Sequence, residues 1–275
     1  EKGIIGQEIM MYDDYPDWKV YLNAMQAMYH NNPIKIDVVG TIETISKIDK
    51  DVLYRCYNTF YNQSNMAMVI CGDFEPEKLL EEIKKRLKPT KTNGEIKRIY
   101  PEEPENIVQE KIEQKMKVSQ PMYAIGIKDK PIKNNGKELV KKDLAIQILL
   151  ELIIGKSSNL YKKLYDDGII YGGIRGSNEF SKTYAHILIS GQSENPKTNG
   201  INSENFNRIK KKLYGEYVEQ YNDVSDIAGM FLSDYFKGIN SFDYVNEIEN
   251  INMEYLNQIL NDIFKEEKMV ISVIR

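Results

Sequence analysis

Ile45-x-x-Ile48-Asp49-x-Asp51-x-Leu53, near the front of this 275-residue chain, returns near its end as Ile248-x-x-Ile251-Asn252-x-Glu254-x-Leu256. The offset is 203 residues from Ile48 to Ile251 and 203 again from Leu53 to Leu256. Phe60 and the strand-like Met66-Ala67-Met68-Val69-Ile70 follow the first copy. Ile263-Phe264 and Met269-Val270-Ile271-Ser272-Val273 follow the second, in register once its connecting loop is taken as two residues shorter. Asp49 and Asn252 stand where a helix N-cap belongs, because their short side-chain oxygens can accept an unpaired backbone N–H of the first turn. Chance likeness between two common helix–strand units is the alternative, and the shared spacing argues against it.

Working outward, the second copy begins near Asn106, with candidate strands at 107–118 and 121–128. Its counterpart in the first copy would fall about 203 residues earlier, ahead of Glu1. The first copy is therefore expected to be partial, without its opening strands and helices. Between the copies, Lys88 to Pro104 carries Pro89, Pro101, Pro104, Thr90, Thr92, Asn93 and Gly94, a linker composition. The expected organisation is an incomplete domain over 1–90, a linker over 91–105 and a complete sister domain over 106–275.

Hydrophobic periodicity predicts helices at 1–12, 17–30, 50–62 and 75–87 and a strand at 66–72 before the linker. After it come a helix at 136–154, a short helix at 157–167 and long strands at 169–180 and 183–193. Helices at 203–221, 223–238, 242–249 and 253–264 and a last strand at 268–274 complete the series. Paired strands among clusters of helices read as α+β, an antiparallel sheet with helices packed on one face. Gly172-Gly173-Ile174-Arg175-Gly176 lies in a strand pattern and reads as a bulge or a close approach between strands, with no phosphate role. The stripe Tyr214, Tyr217 and Tyr221 reads as a buried helix face.

A net charge of −4 offers no basic surplus for nucleic acid, and no apolar run reaches the roughly 18 residues of a membrane span. Cys56 and Cys71 are the two cysteines, both in apolar contexts, and read as buried thiols of a cytoplasmic protein. The two histidines, His30 and His186, are far apart in the chain and read as structural or solvent-facing. No H-x-x-E-H or H-E-x-x-H is present, so no helix offers a two-histidine zinc site. Nucleophile elbow, P-loop and dinucleotide fingerprints are absent as well. Glu1 and Glu8 are two helical turns apart and share one helix face, flanked by Ile4, Ile5 and Ile9. Carboxylates on an apolar surface are either exposed to water or paired, hydrogen-bonded or metal-bound.

Glu1-Lys-Gly-Ile-Ile-Gly-Gln-Glu8-Ile-Met-Met-Tyr-Asp-Asp-Tyr-Pro-Asp-Trp18 resembles the segment downstream of the inverted zinc motif in the pitrilysin/insulinase metallopeptidases, in their bacterial processing-peptidase-like branch. His30-Asn-Asn-Pro33-Ile-Lys-Ile-Asp37-Val-Val-Gly40-Thr41, Phe60-Tyr61-Asn-Gln-Ser-Asn65-Met66 and Cys71-Gly72-Asp73 are similar to the same proteins. The resemblance covers 1–87 by motif and 106–275 by order of elements. It makes 1–90 the C-terminal part of a catalytic-type domain and 106–275 a non-catalytic sister. It implies a zinc-dependent endopeptidase in the full-length protein. Glu8 would be the third zinc ligand and Glu1 its supporting carboxylate, with both histidines and the general base upstream. Zinc-bound water would then have a pKa near 7. These residues alone would hold no Zn2+ and be inactive. In Leu164-Tyr165-Asp166-Asp167-Gly168-Ile169-Ile170-Tyr171, Tyr171 matches the tyrosine of a substrate-positioning Arg/Tyr pair. The arginine position holds Tyr165 or an aspartate, one residue short in spacing. Implied partners are peptide substrates and a homologous subunit in a heterodimer, or a second copy in a homodimer, with neither nucleic acid nor membrane. A non-catalytic homologue that serves as a scaffold or binds extended peptides is the alternative.

Overall fold

A helix buried on almost every side organises the second half of the chain. The computed structural model describes residues 1–88, 94, 96–133, 135–193 and 206–275, with the backbone alone at 171, 172 and 193. Five helices come first: α1 (Lys2–Asp13), α2 (Pro16–Met28), α3 (Ile42–Ser46), α4 (Lys50–Phe60) and α5 (Pro76–Arg86). Then follow β1 (Lys111–Gln114), β2 (Met122–Asp129), α6 (Gly136–Ile154), α7 (Asn159–Asp166), β3 (Ile170–Phe180) and β4 (Ala185–Ser193). The chain continues through α8 (Phe206–Gln220), α9 (Val224–Lys237), α10 (Asp243–Asn250), α11 (Met253–Ile263) and β5 (Met269–Ile274).

Helix α6 starts where the Asn135 side chain accepts the Glu138 N–H at 3.1 Å. Its Leu139, Leu144, Ile146, Ile148 and Leu150 are buried among β2, β4, α8, α10 and α11. A side chain of this size contributes about 1.5–3 kcal/mol when fully buried, which makes α6 the axis of the fold. At Gly176 of β3 a Cβ would stand 2.9 Å from both Ile154 Cδ1 and Leu150 Cδ2. The bulge expected of the glycine-rich stretch lies at Ile170–Ile174, while the close approach at Gly176 is of strand to helix and not between strands as expected.

The sheet order is β1-β5-β2-β4-β3. The expected α+β class holds, with two refinements. β1 and β5 run parallel, while every other pair is antiparallel. The sheet also has helices on both faces. α6, α8, α10 and α11 cover one, and α2, from the first part of the chain, covers the other through Ala24, Met25 and Met28 against Ala124, Val270 and Ile274. Gly126 makes room for that helix, since a Cβ there would stand 2.9 Å from Met28 Sδ.

The repeat is real in three dimensions. Asp49 caps α4 by accepting the Val52 N–H, and Asn252 caps α11 by accepting the Tyr255 N–H, both at 2.9 Å. Each helix ends on a residue of matching backbone, Tyr61 (φ −84°, ψ 66°) and Phe264 (φ −81°, ψ 65°). A 3-10 turn follows at Gln63–Asn65 and at Glu266–Lys268. The 203-residue offset therefore holds from cap to strand start, and the expected two-residue shortening of the second loop is not needed. Replacing Asn252 by Ala should cost about 1 kcal/mol in urea unfolding, since it orphans a first-turn N–H. An unchanged midpoint would remove the cap from the account.

The copies differ in what surrounds them. β5 lies between two strands, whereas Met66–Cys71 forms no strand, contrary to expectation, because no described strand lies beside it to complete a ladder. Cys56 is exposed and Cys71 half-buried, so the expectation of two buried thiols also fails here. Of the tyrosine stripe, Tyr217 packs in the core and stacks on Tyr244 at 4.9 Å, while Tyr214 is exposed. Residues 91–93 and 95 of the expected linker and 203–205 of the expected helix lie outside the described residues.

Candidate functional site

Helix α1 carries the two carboxylates singled out in the sequence. Glu1 is its N-cap residue, with no side-chain cap bond, and its carbonyl accepts the Ile5 N–H at 2.9 Å. The helix is anchored on its other side by Gly6 and Ile9, where Gly6 lies close to Ile42 of α3. Glu1 and Glu8 both face solvent, and neither has an ion pair among the described residues. Around them Ile4, Met10 and Met11 are exposed, while Ile9, expected beside them, is buried. An exposed helix face with apolar side chains between two carboxylates at two-turn spacing differs from an ordinary solvated face, where polar residues dominate.

Tyr171 lies in β3, just after its first residue, and its side chain lies outside the described residues. Among the described residues no three His, Cys, Asp or Glu side chains gather where a metal ion could sit. Among the described residues Glu8 is therefore a single carboxylate without co-ligands.

A second polar constellation escapes sequence reasoning. Glu103, just before the second half, folds its carboxylate onto the end of α2. Oε1 accepts the His30 N–H at 2.9 Å and Lys128 Nζ at 2.6 Å. Oε2 accepts the Asn31 and Asn32 N–H groups at 2.8 and 2.7 Å. Lys128 also donates to the Asn106 carbonyl at 2.9 Å and lies 5.0 Å from the centre of the Tyr29 ring. Burial pushes the Glu103 carboxyl up, but Lys128 and the three backbone N–H groups outweigh it and hold the carboxyl below its ordinary range. Burial also dominates for Lys128 and keeps its ammonium below the usual lysine value despite Glu103. The two shifts disagree about whether the pair is favourable. The four-bond geometry at Glu103 decides that its charged form is the one the site is built for.

Beside this latch, Tyr29 Oη donates to the Ala185 carbonyl at 2.9 Å and lies 3.1 Å from His186 Nδ1. Burial depresses the imidazole to a pKa of about 4, against the opposing pull of Glu179. His186 is thus structural, as its isolation in the sequence suggests. Its ring is stacked on Tyr184, and the Tyr184 hydroxyl donates to Glu179. No helix among the described residues is long and apolar enough to cross a membrane.

Residues 47–212 match the family model for the peptidase M16 inactive domain. The chain is 35% identical to the zinc protease YmfH of Bacillus subtilis over 98% of its own length and 67% of that protein's. It is 22% identical to the zinc protease YmxG of the same organism over 97% of its length and 68% of that protein's. An M16-like peptidase from Alicyclobacillus acidocaldarius superposes with a TM-score of 0.90 at 29% identity, over 99% of this chain and 69% of that one. A protease from Helicobacter pylori shares the fold at a TM-score of 0.85 and 18% identity, over 100% of this chain and 71% of that one. On the family match and the extent of likeness to YmfH together, this chain belongs to the peptidase M16 family.

Proposed function

We propose that this chain is the larger, downstream part of a zinc-dependent endopeptidase of the pitrilysin/insulinase type, in which Glu8 is a zinc ligand and Glu1 the carboxylate that supports it. The observation that carries this reading is the exposed face of α1. There two unpaired carboxylates stand two turns apart among apolar side chains that call for a cover. Two histidine ligands and a general base would come from residues ahead of Glu1. When bound, the metal would polarise the water that attacks the peptide carbonyl. Among the described residues no set of side chains forms a metal centre by itself. On this reading 1–90 closes the catalytic-type domain, 91–105 joins it to the sister domain 106–275, and Tyr171 positions substrate carbonyls. Peptides are the substrates, and a homologous subunit or a second copy completes the chamber. Free cysteines suit a cytoplasmic setting.

The test is zinc content and peptide cleavage in the protein extended upstream of Glu1. About one zinc per chain is expected. Glu8→Gln should lose the metal and the cleavage together, and Glu1→Gln should lower activity on the order of tenfold to a hundredfold, the usual loss for a residue that orients a ligand. A folded extended protein without zinc or cleavage would instead support a second reading, a non-catalytic scaffold or peptide-binding homologue. That reading is favoured by the match of 47–212 to the inactive-domain model.

A further inference from the structure

The stretch Tyr100-Pro101-Glu102-Glu103-Pro104-Glu105 joins the first part of the chain to the second, yet it is held more firmly than a joint requires. Pro101 and Pro104 fix their own backbone angles. Between them Glu103 is pinned by Lys128 and by three backbone N–H groups at the end of α2. Asn31 adds a bond to the Glu102 carbonyl at 2.8 Å. The stretch is therefore a stiff wall, and it lines a cavity of about 540 Å³, a volume usual for small-molecule sites. Buried Tyr29 and Lys128 and half-buried Tyr184 share the lining. Pro131 and Lys133, from the turn after β2, and Lys268, just ahead of β5, complete it.

The rings and charges of this lining select a class of ligand. Tyr100 is 47% exposed and has no ring partner among the described residues, while the Tyr184 ring is stacked on His186 by one face. With Pro101, Pro104 and Pro131 they offer flat apolar surface. The carboxylates are matched one by one: Glu103 by Lys128, Glu105 by Lys130 and Asp129 by Lys142, each at 2.6 Å. Lys133 and Lys268 have no carboxylate partner among the described residues. Lys268 donates to the Asp262 carbonyl at 2.9 Å, and Glu105 feels its charge without an ion pair to it. Two ammonium groups therefore stand against one unmatched carboxylate, Glu102, which is exposed. We propose that this cavity binds a small organic anion, an aromatic carboxylate whose ring lies on Tyr100 and the prolines and whose charge is met by Lys133 and Lys268. A free aromatic acid carries this chemistry, and so does the C-terminal residue of a peptide that ends in an aromatic side chain. Because the wall is ordered beforehand, little conformational freedom is lost on binding. The site goes beyond the proposed zinc chemistry and shares no residue with it.

Saturable broadening of the fluorine signal of 4-fluorophenylacetate, titrated with the chain as it stands, reads this site directly. The neutral 4-fluorophenylacetamide should bind about tenfold more weakly, the loss expected when a charge-assisted contact is removed. Lys133→Gln combined with Lys268→Gln should weaken the acid by about the same factor and leave the amide unchanged, with an unaltered urea midpoint as the check of folding. Tyr100→Ala should weaken acid and amide alike, by about threefold, through lost ring contact. Acetyl-glycyl-glycyl-phenylalanine and its C-terminal amide separate the two sources. Displacement of the probe by the peptide acid alone would assign the cavity to a peptide terminus, and displacement by neither would assign it to a free acid; both uphold the site. An acid that does not saturate, an amide that binds as tightly as the acid, or a lysine pair whose replacement changes nothing would overturn it.

Discussion

Glu103→Leu should destabilise the protein by about 3–5 kcal/mol in urea unfolding, the usual cost of removing one member of a buried ion pair. The loss has two parts. Lys128, 4% exposed in its side chain, keeps its charge in an apolar setting with only the Asn106 carbonyl and the Tyr29 ring as partners. The part-buried N–H groups of His30 and Asn32 lose their acceptor, at about 1–3 kcal/mol for a donor left unmet, whereas the exposed Asn31 N–H can turn to water. Adding Lys128→Met to Glu103→Leu should therefore restore only the part due to the stranded ammonium. Trp18, the single tryptophan, sits on α2 and hydrogen-bonds Asp37 at 3.0 Å, so its fluorescence follows the undocking of that helix. A cost below about 1 kcal/mol for Glu103→Leu would mean that water replaces the carboxylate and that the latch is incidental. Because the folded Glu103 pKa lies below the unfolded value of 4.5, its contribution is present above that value and is lost as pH falls beneath it.

The latch marks the boundary of what the sequence discloses. Helices and strands were legible because their periods are local: the caps Asp49 and Asn252, the apolar run of α6 and the glycine bulge of β3 are each decided by a few neighbouring residues. The pairing of Glu103 with residues 30–32 spans about 70 positions, and no local pattern announces it. A partial signal did exist. In β2, Ala124, Gly126 and Lys128 alternate onto the face that α2 covers, so a lysine there needs a buried partner. His186 shares that face through its alternation with Leu188 in β4. The strand expected at 66–72 failed for the opposite reason. Its residues favour the extended form, but a strand exists only with a neighbour, and pattern alone cannot supply one. That Glu1 and Glu8 share one exposed face of α1 was legible from their spacing.

The chain should lose up to about 3 kcal/mol of stability between pH 6.5 and pH 4 through His186 alone, as each unit of pKa shift corresponds to about 1.36 kcal/mol. The folded imidazole titrates at about 4 and the unfolded one at 6.5. Between those values the unfolded chain binds a proton that the folded chain does not, so stability falls with pH across that window. The geometry explains why the neutral ring is kept. Tyr29 spends its hydroxyl proton on the Ala185 carbonyl, so the hydrogen bond to His186 needs the proton on Nδ1. Nε2 is then the unprotonated nitrogen, 3.8 Å from Glu179 Oε2. Glu179 would favour a second proton there, but it is shared with the Tyr184 hydroxyl, and burial between Tyr184 and Tyr29 outweighs its pull. Asp143, whose carboxyl burial raises, acts with the opposite sign and gains stability as pH falls. Glu103 enters only below about pH 4.5. His186→Phe, which retains the stacked ring and removes the titration, should therefore flatten the decline between pH 6.5 and 4.5 or turn it into a slight rise, whatever it costs at neutral pH. If His186→Phe kept the parental slope in that window, the acid sensitivity would have to come from other groups and the neutral-ring assignment would fall.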